Sequence, residues 1–394
     1  MKIDDKPLRI LAVVNVAWDP RLGAARVWIE LAEEWTKAAH VVEKFCLTDA
    51  FSTPTSSSAL AALRLIWFPF RAAAFVRNNA ERFDVIDALI ATLPFSKKSL
   101  GFRGLLVARS VGLYRLYERF EQAAARRWPP STKGKLSGRI FYGLFHKRMR
   151  AASEASVRHC ELLNLPNADE LVCLRNEMGS AKPAIVQPYG LAPARRAALL
   201  GAAAPAENRW RRRKVCFLGM WSARKGAKDW AQIIERVRAK IPDARFVFLG
   251  TMMENSQVLE DLNPGAADFV ELVPQFHPEE LPQLLSDCAV GAFPSYMEGF
   301  GLAVVEQLAA AIPTVAYDAP GPRDILGEML PELLTPPGDV AKFSDAIIAV
   351  LERDLENYRD LGVRSAKTAE RFSWPKIARE TMDEYRRRLD EFHE

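Results

Sequence analysis

The chain has few of the residues and patterns that most often announce chemistry. Five cysteines and five histidines are spread over 394 residues. Cys46, Cys160, Cys173, Cys216 and Cys288 form no C-x-x-C pair. That argues against a disulfide scaffold and a cysteine-built zinc site, and fits reduced thiols in a reducing compartment. His40, His146, His159, His277 and His393 form no H-E-x-x-H or other close pair, so no histidine-built metal centre is expected. No two aspartates stand two residues apart, so the paired-aspartate grip of a divalent cation on a diphosphate is missing. There is no G-x-x-x-x-G-K-[ST] and no G-x-S-x-G, which excludes a P-loop and a nucleophile elbow. Gly299 and Gly301 are the only Gly-x-Gly pair, and position 304 is Val, so the dinucleotide fingerprint is absent.

Long uninterrupted apolar runs are also lacking. The most apolar stretch, Ala59 to Val76, contains Arg64, Arg71 and Pro69. Each arginine near a bilayer centre would cost about 2.5–3.5 kcal/mol, so a buried or interfacial helix is expected there. The N-terminus mixes acids into its first residues and runs into an apolar segment with no small-residue cleavage site; no signal peptide is expected.

What is present is ordinary globular composition, 49% apolar and 26% charged, at a length that suggests two domains. The charge is uneven. From Arg109 to Arg150 there are eleven Lys/Arg against Glu118 and Glu121, so the remainder of a +5 chain is net −4. Such a region favours anions.

Leu8 to Val16 is a near-continuous apolar run, as in a strand buried on both faces of a parallel sheet. Val27, Leu31 and Trp35 then recur at helical spacing. Val41–Leu47, Asp84–Ala91, Leu105–Ala108, Leu171–Leu174 and Ala184–Gln187 read as further strands. Tyr114 to His159 reads as helix, with a break at Trp128–Gly134. An Ala-, Pro- and Arg-rich stretch, 191–213, reads as a linker. The pattern then restarts, with strands at 215–218, 246–249, 269–273, 290–293, 314–317 and 333–335. A helical stripe, Trp230, Ile233, Ile234 and Val237, lies between the first two. Two doubly wound α/β domains follow, over 1–190 and 214–372, with a closing helix over 373–394 that offers Trp374, Ile377, Met382 and Tyr385 for packing.

In such sheets ligands sit at the carboxyl ends of strands, which directs attention to two loops. In PSYMEGFGLAVVEQ, Glu298 lies in a glycine-bearing loop and Glu306 follows eight residues later on the succeeding helix. Carboxylates accept several hydroxyl hydrogen bonds, and a helix N-terminus suits a phosphate. In FLGMWSARKGAKDW, Arg224 and Lys225 stand beside Gly226 after another strand; two cations there suit a diphosphate.

Together these elements resemble the retaining glycosyltransferases of family 4, which adopt the GT-B fold. The resemblance runs over nearly the whole chain and rests above all on Glu298-x7-Glu306 and the Arg-Lys-Gly segment. It implies two Rossmann-like domains facing across a cleft, the C-terminal one holding a nucleotide-diphosphate sugar and the last helix crossing back to the N-terminal one. It implies Glu298 on the transferred sugar, Glu306 on the ribose, and Arg224 and Lys225 on the diphosphate. Gly219 and the backbone of Gly299, Phe300, Gly301 and Leu302 would line the donor. The turn at Gly23 and the loop at Ser110 would lie on the side of a carbohydrate or lipid-linked acceptor or form a phosphate loop. Met220 and Val111 stand where the family often has arginine and histidine, and Arg224 is expected to replace the missing cation.

The resulting expectation is a retaining, metal-independent glycosyltransferase with no cofactor beyond its donor substrate, working in cell-surface polysaccharide or glycolipid synthesis. Rival readings are a non-catalytic nucleotide-sugar-binding protein and a nucleotide-sugar epimerase. The expected location is the cytoplasm, peripheral on the inner face of the cell membrane, with 109–150 facing anionic lipid. RIFYGLFHKRMR (139–150) carries an apolar stripe flanked by cations, as an interfacial helix would. No nucleic-acid partner is expected, since no aromatic-basic recognition module is present.

Overall fold

Two compact units make up the chain: Met1–Tyr189 with Trp374–Glu394, and Gly190–Ser373. The computed structural model describes residues 6–129 and 136–391.

The first unit is built on six parallel strands: β1 (Arg9–Val13), β2 (Val41–Phe45), β3 (Val85–Leu89), β4 (Leu105–Arg109), β5 (Leu162–Leu165) and β6 (Ala184–Val186). Their order is β2-β1-β3-β4-β5-β6. Four central strands are almost wholly buried, as strands covered on both faces by helices must be. One of those covers is the Ser58–Asn79 helix, started by the Ser57 hydroxyl accepting the Leu60 N–H at 3.4 Å. Phe68, Ala72, Ala73 and Val76 sink into the core with Leu11, Val13, Ile86 and Leu106.

The helix Trp374–Asp390 belongs to this unit. Its Tyr385 hydroxyl donates to Asp87 on β3 at 2.6 Å. Arg109, at the end of β4, pairs with the same carboxylate at 2.7 Å, and both side chains are at most 1% exposed. The Trp28 indole N–H completes the cluster, 3.1 Å from Asp87 Oδ1. Burying one member alone would be costly, and the surrounding donors make the pair tolerable.

The second unit has β7 (Lys214–Leu218), β8 (Arg245–Leu249), β9 (Val270–Val273), β10 (Val290–Phe293), β11 (Thr314–Tyr317) and β12 (Leu334–Thr335). All are parallel, in the order β12-β11-β10-β7-β8-β9. The direction of winding therefore reverses between β7 and β10. The core beneath is aromatic: Trp230 sits edge-on to Phe248 at 4.7 Å and to Phe217 at 5.7 Å. Each expected strand of this unit lies within one residue of the observed one.

Three expectations are corrected. Residues 191–213 are not a bare linker: Pro193–Ala202 and Ala206–Arg212 are helices of the second unit. Buried Leu199 anchors the first, and buried Arg209 donates to the carbonyls of Ala310 and Ala311 from the second. Leu171–Leu174 is helix, within Ala168–Asn176, because Asn167 accepts the Glu170 N–H at 2.8 Å and starts a helical turn. The strand falls instead at β5. Arg109 is no part of a surface patch, since Asp87 neutralises it in the core. The break at Trp128–Gly134 falls mostly outside the described residues, as do Lys133, Lys135 and the side chains of Arg139 and Ile140.

Candidate functional site

The reversal of winding between β7 and β10 opens a crevice outside the carboxyl ends of those strands, where open α/β sheets bind ligands. The loop after β7 carries Gly219, Arg224, Lys225 and Gly226, and the loop after β10 carries Ser295 to Gly301. The topology thus brings two segments some seventy residues apart into register.

The two loops are tied together by backbone. The Tyr296 N–H donates to the Arg224 carbonyl at 2.9 Å, and the Ser295 hydroxyl to the same oxygen at 3.2 Å. Gly226 makes this approach possible: a Cβ there would stand 2.3 Å from the Pro294 carbonyl, and its φ is +82°. Behind the loops, Tyr296 and Tyr317 both donate to buried Asp229, at 2.6 and 2.8 Å.

On this frame three charged side chains meet. Lys225 Nζ lies 2.6 Å from Glu298 Oε1, and Arg224 Nη1 donates to the same oxygen at 3.1 Å and to the Met297 carbonyl at 2.7 Å. The Ser295 hydroxyl also donates to Glu298. The lysine ammonium rests 4.9 Å from the Phe293 ring centre, and Gly219 lies against its stem.

Burial pushes the Glu298 carboxyl up, but Lys225, Arg224 and the Ser295 hydroxyl outweigh it and hold the group below its ordinary value. Burial lowers the Lys225 ammonium, with Arg224 adding to the effect and Glu298 opposing it. Two cations against one carboxylate leave the cluster net positive, suited to an anion.

Glu306, 5% exposed, sits on the following helix, Leu302–Ala309. Its partner is Arg195, whose Nε and Nη2 lie 2.9 and 2.8 Å from Oε1. Arg195 Nη1 also donates to the Pro278 carbonyl at 3.0 Å, so one guanidinium fixes both the carboxylate and the 273–278 loop. Arg195 was missed by sequence reasoning. It lies in the supposed linker, 111 residues from Glu306, and no local pattern marks it.

The remaining expected residues fall as follows. Gly301 has φ +100° and precedes the first turn of the Leu302 helix. The Phe300 ring is core, edge-on to Phe372 at 5.4 Å, so only its backbone can face a ligand. Leu302 is half-buried and Gly299 buried in the same turn. Gly23 and Ser110 lie in the first unit. Gly23 opens the Gly23–Lys37 helix and is exposed. Ser110 is buried, and its hydroxyl accepts the Gly112 N–H at 3.1 Å. That bond shapes the turn that follows β4. Among the described residues no cluster of three or more His, Cys, Asp or Glu could hold a metal ion.

Comparison with known proteins converges on the same region. Residues 212–353 match the family described as Glycosyl transferases group 1. A D-inositol 3-phosphate glycosyltransferase of Nocardia farcinica is 33% identical over 129 residues, 33% of this chain and 28% of that protein. The chain thus spans little more than a quarter of that relative's length. An MMP alpha-(1->4)-mannosyltransferase of Mycolicibacterium hassiacum is 28% identical over 82% of this chain and 75% of its own. Among solved structures, sucrose-phosphate synthase of Thermosynechococcus elongatus superposes with TM-score 0.69 at 19% identity, over 96% of this chain and 98% of its own. HepE of Anabaena in complex with UDP superposes with TM-score 0.63 at 18% identity, over 95% and 99%. These likenesses identify the two doubly wound units as those of the GT-B fold. The stretch that carries Arg224, Lys225, Glu298 and Glu306 is a Glycosyl transferases group 1 domain.

Proposed function

We propose that the chain is a retaining glycosyltransferase, and that its second unit grips a nucleotide-diphosphate sugar and passes the sugar to a carbohydrate or lipid-linked acceptor. The observation that carries this reading is the meeting of Arg224 and Lys225 on Glu298 at the β7–β10 crevice. A diphosphate supplies the negative charge that this net-positive cluster lacks.

In this reading Lys225, Arg224 and the Leu302 helix N-terminus face the diphosphate. Glu298, held ionised, accepts hydroxyls of the transferred sugar. Glu306, fixed by Arg195, accepts those of the ribose. The acceptor hydroxyl attacks the anomeric carbon from the face that the diphosphate leaves. The carbon–phosphate-oxygen bond breaks, and the proton passes to the departing phosphate. The protein contributes position and a field set in advance for the charge that grows on the leaving group. No metal ion is assigned a part, because side-chain cations can neutralise the diphosphate. The five cysteines are buried and unpaired, which suits work in the cytoplasm.

A thermal-shift panel of UDP, GDP, ADP and their sugars tests the reading. A ligand at 100 times its Kd stabilises by about 2.7 kcal/mol. One nucleotide class is expected to stabilise the chain, and Arg195→Ala to shrink that shift by loosening Glu306. If no nucleotide shifts the transition, the donor assignment is wrong.

A further inference from the structure

The Ser58–Asn79 helix has a second face that its core packing leaves uncovered. Leu60, Leu63, Trp67 and Phe70 recur at i, i+3, i+7 and i+10, and all four are exposed, Trp67 by 58%. A soluble helix normally turns charged residues to that side. The inward face is committed to the core through Phe68, Ala72 and Val76. The helix is long and apolar enough to cross a bilayer by composition, yet its packing holds it against the sheet, so it can only lie along a surface.

The Leu136–His159 helix extends the same face. Phe141 and Leu144 are exposed, Leu144 by 62%. Arg148 lies over the Phe70 ring at 5.6 Å. A cavity of about 190 Å3 opens between the two helices, lined by Leu65, Pro69, Phe70, Phe95, Arg148 and Met149.

The charge on the two helices of this face is mostly positive. The Ser58–Asn79 helix contains Arg64, Arg71 and Arg77 and no acid; the Leu136–His159 helix has five Lys/Arg and only Glu154. The nearby acids come from the Tyr114–Arg127 helix, where Glu118 takes Arg150 of the Leu136–His159 helix and Glu121 lies 3.9 Å from His146; Arg115 and Arg119 share Glu177. Arg64, Arg71, Arg77, Lys147 and Arg148 have no carboxylate within 4.0 Å among the described residues. Arg64 and Arg71 instead lay their guanidinium groups on Phe51, at 5.4 and 5.1 Å from the ring centre.

We infer that this face of the first unit docks on an anionic lipid bilayer. Trp67, Leu63, Phe70 and Leu144 enter the headgroup boundary, and Arg71, Lys147 and Arg148 meet lipid phosphates. The chemistry selects this occupant: a single-file apolar stripe centred on tryptophan suits an interface, and flanking cations with no carboxylate partner among the described residues suit negative headgroups. The surface lies wholly in the first unit, so it stands or falls independently of the donor reading.

The test is co-sedimentation of the full chain with vesicles of phosphatidylcholine alone or enriched in phosphatidylglycerol. Binding to the anionic vesicles is expected to be at least about tenfold tighter and to fall in high salt. Leu63→Ser/Trp67→Ser and Arg71→Ser/Lys147→Ser are each expected to weaken it about tenfold, with unchanged circular dichroism and melting. Trp67→Phe keeps binding but loses the blue shift of emission on vesicles. Lys225→Ala binds vesicles like the parent, which separates this result from any failure of the donor site. Equal binding to both vesicle types, or none to either, overturns the inference. So does retention of full affinity by Leu63→Ser/Trp67→Ser. A dimer seen by light scattering and abolished by that variant assigns the face to a second copy and overturns it too.

Discussion

Glu170 in the first unit and Glu298 in the second are both buried glutamates, 0% and 7% exposed. Glu170 accepts the Leu113 N–H at 3.0 Å and has no cationic partner among the described residues. Burial therefore wins over the Ser110 hydroxyl and the Leu113 N–H, and the carboxyl is pushed up to about 7. Glu298 is equally enclosed but meets Lys225 and Arg224, and its carboxyl is held low. Asp87, as fully buried as Glu170, is saturated by Arg109, Tyr385 and Trp28. The lesson is that burial alone does not set the charge of an acid; the cations brought to it do. In the first unit such an arrangement is closed and serves the core. In the second it sits on loops at a strand-end crevice, where a ligand can join it.

The contrast can be broken from either side. Asp87→Ala leaves Arg109 buried without a counter-charge, and is expected to cost about 3–5 kcal/mol of stability in urea unfolding. A loss below about 1 kcal/mol would place that pair in the class of solvated ion pairs and erase the distinction. On the other side, Lys225→Ala and Glu298→Ala are each expected to lower turnover at least about 100-fold, with melting close to the parent's. Near-normal rates in both would remove the second unit's cluster from the chemistry.

The smallest effect concerns Glu170. Its folded value lies above the unfolded one, so the native state binds the extra proton, and stability falls as pH rises from about 4.5 to about 7. The loss is on the order of 3 kcal/mol. Glu170→Gln should flatten that slope; an unaltered slope would show that the carboxyl is already ionised.

Much of this was legible in the sequence. The second unit's strands are short, continuous apolar runs set between helices, and a strand covered on both faces leaves that trace wherever it occurs. The two loops were legible because each lies next to its own strand in the chain. The first unit was harder. Leu171–Leu174 is an apolar run too short to show its period, and the Asn167-x-x-Glu170 start that marks it as helix was overlooked. Residues 191–213 read as a linker because their helices are short and bury few apolar side chains, Leu199 among them. Arg195 could not be found, since its meaning depends on a carboxylate that only folding brings near. Arg109 was counted among surface cations although it closes a strand of otherwise apolar residues; the matching clue was Asp87, alone in the apolar neighbour strand.

The return of the last helix to the first unit makes the chain nested: residues 190–373 are, in effect, an insertion between two parts of one body. Trp35 donates to the Ala378 carbonyl at 3.2 Å and lies 6.1 Å from the Tyr385 ring. During synthesis the inserted unit is complete before its host is, and the host must wait for the Trp374–Asp390 helix to leave the ribosome before Asp87 gains Tyr385. A chain cut at Ser373 would lose no residue of the donor loops, yet would strand the first unit unfinished.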